Sequence, residues 1–149
     1  MKIAIGNDHA AVELKMEVCK WLEENGYEYK DFGCGEGEKC DYPDSAKAVG
    51  KAVVSGEFDR GILICGTGIG ISMAANKVKG VRAACCSDYF SAKFTRLHND
   101  ANILCFGARV VGAGLACELV DVFLKTEFEG GRHQRRVDLI TAMEEDFFN

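Results

Sequence analysis

A cysteine followed by alternating glycines is the feature of this sequence most suited to chemistry. The apolar run at 61–64 ends at Cys65, and Gly66-Thr67-Gly68-Ile69-Gly70 follows before helix-forming residues begin. This order is typical of a buried strand, a tight turn and a helix start. Backbone N–H groups in such a turn, together with the helix dipole, stabilise negative charge. A thiol that faces a helix N-terminus can have a lowered pKa and act as a base or nucleophile. The stretch therefore predicts an anion-stabilising loop with a reactive group beside it.

Two other polar segments follow predicted elements and could reach the same ligand. Asp8 and His9 close the first apolar run of the chain. Asp8 is suited to cap the helix that follows, and its carboxylate and the imidazole of His9 are equally suited to face a crevice beside Cys65. His98 and Asn99 end a helix-like segment, where a histidine often serves only as a favourable C-terminal charge. The sequence alone leaves both alternatives open for each pair.

The segment 130–136 carries the only dense group of cations in an acidic chain. Arg132 and Arg136 are four residues apart, so they share a helix face if the helix begins there. Two guanidinium groups on one face suit a phosphate, and cations at a helix N-terminus oppose the dipole unless an anion joins them. Tyr42, beside Pro43 at a predicted helix start, could also lie over a small polar ligand, although a simple turn explains this segment as well.

The glycine pattern also suggests a nucleotide site, but its spacing argues against one. A dinucleotide fingerprint has G-x-G-x-x-G after the first strand, whereas G-x-G-x-G follows the third predicted strand here, and no lysine follows as in a P-loop. Asp88 is at a suitable distance for the acidic residue of that fingerprint, yet it falls at a predicted helix N-cap. A nucleotide-binding module stays an alternative, as does a hydrolase with Cys65 as nucleophile and His98 as base.

Strand and helix patterns alternate along the chain and predict the elements that must position these residues. The predicted strands span 2–7, 27–32, 59–65, 81–86 and 102–106, and the predicted helices span 10–25, 45–55, 70–79, 88–98, 112–125 and 135–147. Such alternation favours a parallel sheet with helices on both faces. Ligands of such sheets lie at the carboxyl ends of the strands, so we expect Asp8, Cys65 and Arg109 to meet there.

Length and charge narrow the class of protein. The 149 residues suffice for a single core and show no linker or internal repeat, so we expect one domain over 1–149. A net charge of −5 argues against a general nucleic-acid role. No apolar run approaches the roughly 18 residues of a membrane span. The first residues resemble a strand rather than a signal peptide, so we expect a cytoplasmic location.

Eight cysteines are many for a chain of this length. No C-x-x-C pair occurs and no Cys/His spacing matches a zinc site, so the sequence predicts no metal site. A chain with a full hydrophobic core does not need disulfides for stability, and we expect most of the cysteines to be reduced and buried. A bond between Cys34 and Cys40, which share a predicted loop, stays open.

Six segments in colinear order resemble the type B ribose-5-phosphate isomerases, within the family that these enzymes share with the galactose-6-phosphate isomerase subunits. One such motif alone would be weak, whereas six in order from end to end are specific. The six segments are Gly6-Asn7-Asp8-His9-Ala10, Asp41-Tyr42-Pro43-Asp44, Ile64-Cys65-Gly66-Thr67-Gly68-Ile69-Gly70-Ile71-Ser72, His98-Asn99-Asp100-Ala101-Asn102, Phe106-Gly107-Ala108-Arg109-Val110-Val111-Gly112 and Glu129-Gly130-Gly131-Arg132-His133.

The resemblance implies a Rossmann-like three-layer α/β/α sandwich with a five-stranded parallel sheet. It implies a homodimer with sites across the subunit interface, and leaves a tetramer open. The implied reaction is the reversible interconversion of D-ribose 5-phosphate and D-ribulose 5-phosphate, a step of the pentose phosphate pathway, without metal or organic cofactor. An isomerase of a hexose or tetrose phosphate is the alternative, because pocket length decides the sugar. One subgroup uses a glutamate of the glycine loop as its base, but Ile71 and Ser72 stand there, so the chain resembles the cysteine subgroup.

The resemblance also implies the roles of individual residues. Cys65 is the base that moves a proton between carbons 1 and 2, Thr67 shuttles protons between the two oxygens, and His98 helps to open the furanose ring. The backbone N–H groups of the glycine loop hold the enediolate. The other implied substrate-binding residues are Gly66, Gly68, Ile69 and Gly70 in that loop, Asp8 and Asn99 on sugar oxygens, Tyr42 lining the pocket, and His9, Arg109, Arg132 and Arg136 on the phosphate, several of them from the partner subunit.

Overall fold

Five parallel strands form the centre of the structure, a computed structural model that describes residues 1–148. The strands are β1 (Lys2–Asn7), β2 (Glu28–Asp31), β3 (Arg60–Cys65), β4 (Ala83–Cys85) and β5 (Ile103–Gly107). The helices are α1 (Val12–Glu24), α2 (Tyr42–Val54), α3 (Ile69–Ala75), α4 (Tyr89–Asn99), α5 (Ala113–Lys125) and α6 (Arg132–Phe147), and a short 3-10 turn spans His9–Ala11. The order across the sheet is β2-β1-β3-β5-β4, with every pairing parallel. The predicted α/β fold class is confirmed.

The sheet is covered on both faces because its central strands are apolar on both faces. Ile62 and Ile64 of β3 pack with α1 and α5 in one core, whereas Leu63 and Cys65 pack with α2 and α3 in the other. These positions are almost fully buried, as expected for the middle of a parallel sheet. The helices turn their apolar stripes towards these two cores, and α1 does so through Leu14, Val18 and Leu22 at steps of four residues.

Several helix boundaries differ from the sequence prediction: α2 begins at Tyr42 instead of 45, and α6 and α3 differ by three and four residues. α6 begins at Arg132, three residues before the predicted start at 135, because Gly130 and Gly131 take positive φ angles of 67° and 56° and turn the chain into the helix. α3 ends at Ala75 instead of continuing to 79. The Asn76 side chain donates to the Ala83 carbonyl at 2.9 Å and accepts from its N–H at 2.8 Å. Asn76 thereby fixes the end of α3 to the start of β4.

A disulfide joins Cys34 and Cys40 in the loop between β2 and α2, which settles the alternative that the sequence left open. The Cys34 N–H donates to Asn7 Oδ1 at 3.2 Å, and Asn7 Nδ2 donates to the Cys34 carbonyl at 3.2 Å. Asn7 is fully buried at the end of β1, so this loop is fastened to the carboxyl edge of the sheet. The other six cysteines are free thiols.

Within residues 1–148, no helix is both long enough and apolar enough to cross a bilayer.

Candidate active site

The glycine loop lies at the switch point of the sheet, where the strand order reverses between β1 and β3. Ligands of doubly wound sheets bind in the crevice at this point. The Asp8 N–H donates to the Ile64 carbonyl at 3.2 Å, so the residue after β1 is fastened beside the end of β3. Asp8 and Cys65 therefore flank one crevice, as the sequence predicts.

Cys65 is the last residue of β3, and its side chain meets the loop that follows it. The Gly68 N–H donates to Cys65 Sγ at 3.1 Å. This backbone donor would stabilise negative charge on the sulfur. Gly68 has a φ of 80°, and a Cβ there would lie 2.7 Å from the Phe106 backbone. Cys65 is 4% exposed, so its thiol is almost fully shielded from solvent.

The exposed side of the loop carries polar side chains. Thr67 is exposed, and its Oγ1 accepts a hydrogen bond from the Ile69 N–H at 3.2 Å. The Arg109 N–H donates to the Gly66 carbonyl at 3.0 Å, and Nη1 of the same residue lies 3.2 Å from where a Gly66 Cβ would be. A guanidinium group thus lies against the backbone of the loop, where it favours a bound anion.

Tyr42 and His9 complete this edge of the sheet. The Tyr42 ring, 40% exposed at the start of α2, passes 2.9 Å from where a Gly70 Cβ would be. His9 is exposed, and its Nδ1 lies 3.1 Å from the Cys40 carbonyl. Asp8 Oδ1 accepts from the Ala10 N–H at 3.0 Å, so the carboxylate caps the 3-10 turn while its residue borders the crevice. The two alternatives that the sequence left open for Asp8 are therefore compatible. We call these residues the carboxyl-edge cluster: Asp8, His9, Tyr42, Cys65, Gly66, Thr67, Gly68, Ile69, Gly70 and Arg109.

The remaining predicted site residues lie at the opposite edge of the sheet. Arg82, which precedes β4, donates from Nε to the Asn99 carbonyl at 3.1 Å, so α4 ends at the amino edge. The Glu129 N–H donates to the Leu97 carbonyl at 3.1 Å, which brings the loop before α6 to the same place. A six-residue strand spans roughly 17 Å, so this group is far from Cys65 within one chain. We call it the amino-edge cluster: His98, Asn99, Glu129, Arg132, His133 and Arg136.

The centre of the amino-edge cluster is a pair of stacked imidazoles. The rings of His98 and His133 have centroids 4.0 Å apart and planes 12° from parallel. Glu129 Oε2 lies 3.4 Å from His133 Nε2 and 3.9 Å from His98 Nε2. Burial lowers the pKa of His133, and the nearby charges of His98 and Arg132 lower it further. Arg132 and Arg136 are exposed beside this pair, where they could receive an anion from solvent.

The structure adds residues that the sequence did not predict for the site. Glu129 and His133 were part of a matching segment but had no assigned role, and their spacing of four residues was the only signal. Cys85 also borders the glycine loop, with its Sγ 3.0 Å from where a Gly68 Cβ would be, but we assign it no role in the site. A Cys–His hydrolase pair within one chain is wrong, because Cys65 and His98 lie at opposite edges of the sheet.

Comparison with known proteins gives a consistent family. The model of the Ribose/Galactose Isomerase family matches residues 3–140. The chain is 54% identical over 144 residues to ribose-5-phosphate isomerase B of Escherichia coli, covering 97% of each chain. It is 43% identical over 141 residues to D-erythrulose-4-phosphate isomerase of Pectobacterium atrosepticum, covering 94% of this chain and 93% of that one.

Solved structures of ribose-5-phosphate isomerases B share the fold of this chain. Ribose-5-phosphate isomerase B of Clostridium thermocellum superposes with a TM-score of 0.96 at 54% identity, covering 99% of both chains. Ribose-5-phosphate isomerase B of Mycoplasma genitalium, solved with bound ribulose-5-phosphate, superposes with a TM-score of 0.90 at 42% identity, covering 97% of both chains.

Proposed function

Because the chain belongs to the ribose/galactose isomerase family, we propose that it interconverts D-ribose 5-phosphate and D-ribulose 5-phosphate. The observation that carries this proposal is Cys65 Sγ at the switch point, with the Gly68 N–H 3.1 Å away and the Arg109 guanidinium against the same loop. The relative from M. genitalium was solved with ribulose-5-phosphate, a substrate of this class. We take residues 1–149 as one isomerase domain, and the sequence-based expectation of a cytoplasmic location as part of the proposal.

The chemistry is a proton transfer between neighbouring carbons. Cys65 as thiolate removes the proton from carbon 2 of the open-chain aldose, and the electron pair moves into the carbonyl to give an enediolate. The same thiol then returns the proton to carbon 1, while Thr67 moves a proton between the two oxygens. Donors arranged before the reaction lower the barrier because they meet charge as it forms; losing one typically costs about 3 kcal/mol. We assign this task to the backbone N–H groups of Gly66, Gly68, Ile69 and Gly70.

We propose that a second copy of the chain completes each site. A pentose phosphate is shorter than a six-residue strand, so one molecule cannot contact both clusters of the same chain. The amino-edge cluster of one protomer would then face the carboxyl-edge cluster of its partner, in a homodimer. His98 would assist ring opening, Asn99 would bind a sugar oxygen, and Arg132 and Arg136 would bind the phosphate together with His9 and Arg109. Binding the remote phosphate helps to orient the reacting carbons.

The decisive experiment is an isomerase assay with D-ribose 5-phosphate on the wild type, Cys65→Ala and Cys85→Ala. We expect Cys65→Ala to keep its circular dichroism spectrum and to lose activity by at least about 1,000-fold, because it removes the base. Cys85→Ala is the matched control, since it removes an exposed thiol beside the same loop, and it should stay close to wild-type activity. Near-wild-type turnover of Cys65→Ala would exclude the assignment.

A tetrose phosphate is the second candidate substrate. The D-erythrulose-4-phosphate isomerase of P. atrosepticum is 43% identical to the chain over nearly its full length. The same glycine loop and thiol would serve a sugar one carbon shorter. A panel of tetrose, pentose and hexose phosphates compared by kcat/KM ranks these substrates, and a preference for D-erythrulose 4-phosphate would replace ribose 5-phosphate in the proposal.

A further inference from the structure

We propose that His98, Glu129 and His133 bind one divalent transition-metal ion such as Zn²⁺. Their ligand atoms, one per residue, all lie within 4.8 Å of one another. Ligand atoms on one tetrahedral zinc, with bonds of about 2.0–2.2 Å, are about 3.3–3.6 Å apart. The 3.4 Å between Glu129 Oε2 and His133 Nε2 is already in that range. The 3.9 Å between Glu129 Oε2 and His98 Nε2 is only slightly longer.

The chemistry of the three ligands selects the class of ion. Two imidazoles and one carboxylate are a common set for zinc and for other borderline metals such as Ni²⁺, whereas Mg²⁺ and Ca²⁺ prefer oxygen ligands only. Three protein ligands leave at least one position on the ion open to solvent. The absence of a Cys/His sequence signature does not conflict with this site, because its ligands come from α4, α6 and the loop before α6 and meet only in the folded chain.

The backbone beneath the site is held without help from an ion. The Glu129 N–H donates to the Leu97 carbonyl at 3.1 Å, which ties the Glu129 backbone to the turn that carries His98. The His133 N–H donates to the Gly130 carbonyl at 3.0 Å in the first turn of α6. The His98 ring also packs edge-on against Phe94, with centroids 4.8 Å apart. Three ligands on tied backbones lose less freedom on binding than three ligands on mobile loops.

Binding requires the two stacked imidazoles to turn apart. The two imidazoles are nearly parallel, so their nitrogen lone pairs run side by side and must tilt to converge on one ion. His133 is 6% exposed and fixed by its surroundings, whereas the side chains of His98 and Glu129 are 34% and 53% exposed and can turn towards it. The cations Arg132 and Arg136 stand nearby and oppose a dication. We therefore expect weaker affinity than that of a structural zinc site.

The ion would act as an inhibitor if the proposed function is correct, and this consequence rests on that function. A metal bound by His98 removes its imidazole from ring opening. It also stands beside Arg132, which we place on the phosphate. We therefore expect Zn²⁺ to slow the isomerisation of D-ribose 5-phosphate in the wild type and to slow it less in Glu129→Gln.

The test is isothermal titration of the chelator-treated full-length protein with Zn²⁺ and, separately, with Ni²⁺. We expect one ion per chain in the wild type and at least about tenfold weaker binding in Glu129→Gln and in His133→Gln, because each loses one of three ligands. His9→Gln is the control, since it changes the one histidine that is not among the three ligands, and unchanged affinity would show that the partner's carboxyl edge supplies no ligand. The double variant Cys65→Ser with Cys85→Ser controls for capture by thiolates and should also bind normally.

A spectrum of the Co²⁺-substituted wild type gives a readout that does not depend on any variant folding. Nitrogen and oxygen ligation predicts weak visible bands without a thiolate-to-cobalt charge-transfer band. Absence of binding by the wild type, unchanged affinity in both ligand variants, loss of binding in the cysteine double variant, or a strong thiolate band would each overturn the proposal. Because titration uses the metal alone, it decides the site even if the protein shows no isomerase activity.

Discussion

At the scale of single residues, the close approach of two backbones determines where the glycine loop lies. A Cβ at Gly107 would lie 2.5 Å from the Cα and carbonyl carbon of Thr67 and 2.7 Å from the Gly66 carbonyl oxygen. These neighbours are backbone atoms and cannot turn aside as a flexible side chain could. The loop beside Cys65 therefore rests directly on the end of β5, and only glycine at 107 permits that contact.

Gly107→Ala should for this reason affect both stability and activity. We expect a loss of about 1–3 kcal/mol in the free energy of unfolding, because the added methyl group overpacks a closed contact. Displacement of the loop should also lower kcat. Gly114→Ala is the matched control: nothing lies within 4 Å of its Cβ position in α5, and alanine is the better helix former there. Urea denaturation of both variants measures the difference, and equal stability would show that the loop is free to move.

Sequence patterns located the proposed base, Cys65, better than they located its surroundings. Cys65 and its glycines are contiguous, so their pattern carries both the turn and the thiol. The interaction of Glu129 with His98 spans 31 positions and depends on where α4 ends, which no local pattern encodes. The need for glycine at 107 is likewise not local, because it depends on the loop at Gly66 and Thr67, which lies about 40 positions earlier in the chain.

At the scale of elements, a buried arginine fixes the end of α4 and with it the amino-edge cluster. Arg96 is 1% exposed, and its Nη1 donates to Asp100 Oδ1 at 2.8 Å and to the Ala101 carbonyl at 2.6 Å. Nε of the same residue donates to the Thr126 carbonyl at 3.2 Å, which joins α4 to the end of α5. Asp100 ends α4 in the left-handed conformation, with a φ of 45°. Its carboxylate and its backbone therefore serve the same helix end.

Substitutions of Asp100 can separate these two contributions. Asp100→Gly keeps the left-handed conformation without strain but removes the carboxylate from a buried guanidinium. We expect it to cost about 1–3 kcal/mol, the range for a buried donor that loses one partner. Asp100→Asn keeps a side-chain acceptor and tolerates the same φ, so it should cost less. The free energies of unfolding of the two variants provide the measurement, and a cost of Asp100→Gly no greater than that of Asp100→Asn would contradict the role of the side-chain acceptor.

Hydrophobic patterns predicted the type of each element correctly but predicted where the helices begin and end less well. The predicted helix at 70–79 follows apolar spacing, but the folded helix stops at Ala75 because Asn76 pairs with the backbone of Ala83. The start of α6 moved the other way, because two glycines with positive φ let the helix begin at Arg132. This earlier start puts Arg132 and Arg136 on one face, the condition on which their phosphate role depended.

At the scale of the whole molecule, the parallel sheet itself explains why the predicted site is divided. A helix that follows a parallel strand returns to the amino edge before the next strand begins, so residues at its C-terminus lie opposite the carboxyl ends of the strands. His98 and Asn99 end α4 and follow this rule. Strand-end reasoning reaches the carboxyl-edge cluster and cannot reach the other; the roles of His98 and Asn99 came from the resemblance, and Glu129 and His133 had no predicted role.

If each site combines the two clusters from two chains, defects at opposite edges should complement each other. One parent would be Cys65→Ala, and the other would combine His98→Ala with Arg132→Ala. A mixed dimer then pairs the intact carboxyl edge of one chain with the intact amino edge of the other and regains one complete site. Random pairing makes about half of the dimers mixed, so co-expression should restore about a quarter of wild-type activity.

The control for this experiment is co-expression of Cys65→Ala with Cys65→Ser, which can never assemble an intact carboxyl edge and should stay inactive. Two different affinity tags allow the mixed dimers to be purified, and native mass spectrometry counts them before the isomerase assay. Because both parents carry their defects in every chain, activity in the mixed species can arise only from a site that two chains share. Inactive mixed dimers, or a protein that is monomeric at assay concentration, would contradict the shared site. In that case one chain would have to bring substrate to its carboxyl edge without the arginines of its own α6, which stand about one strand length away.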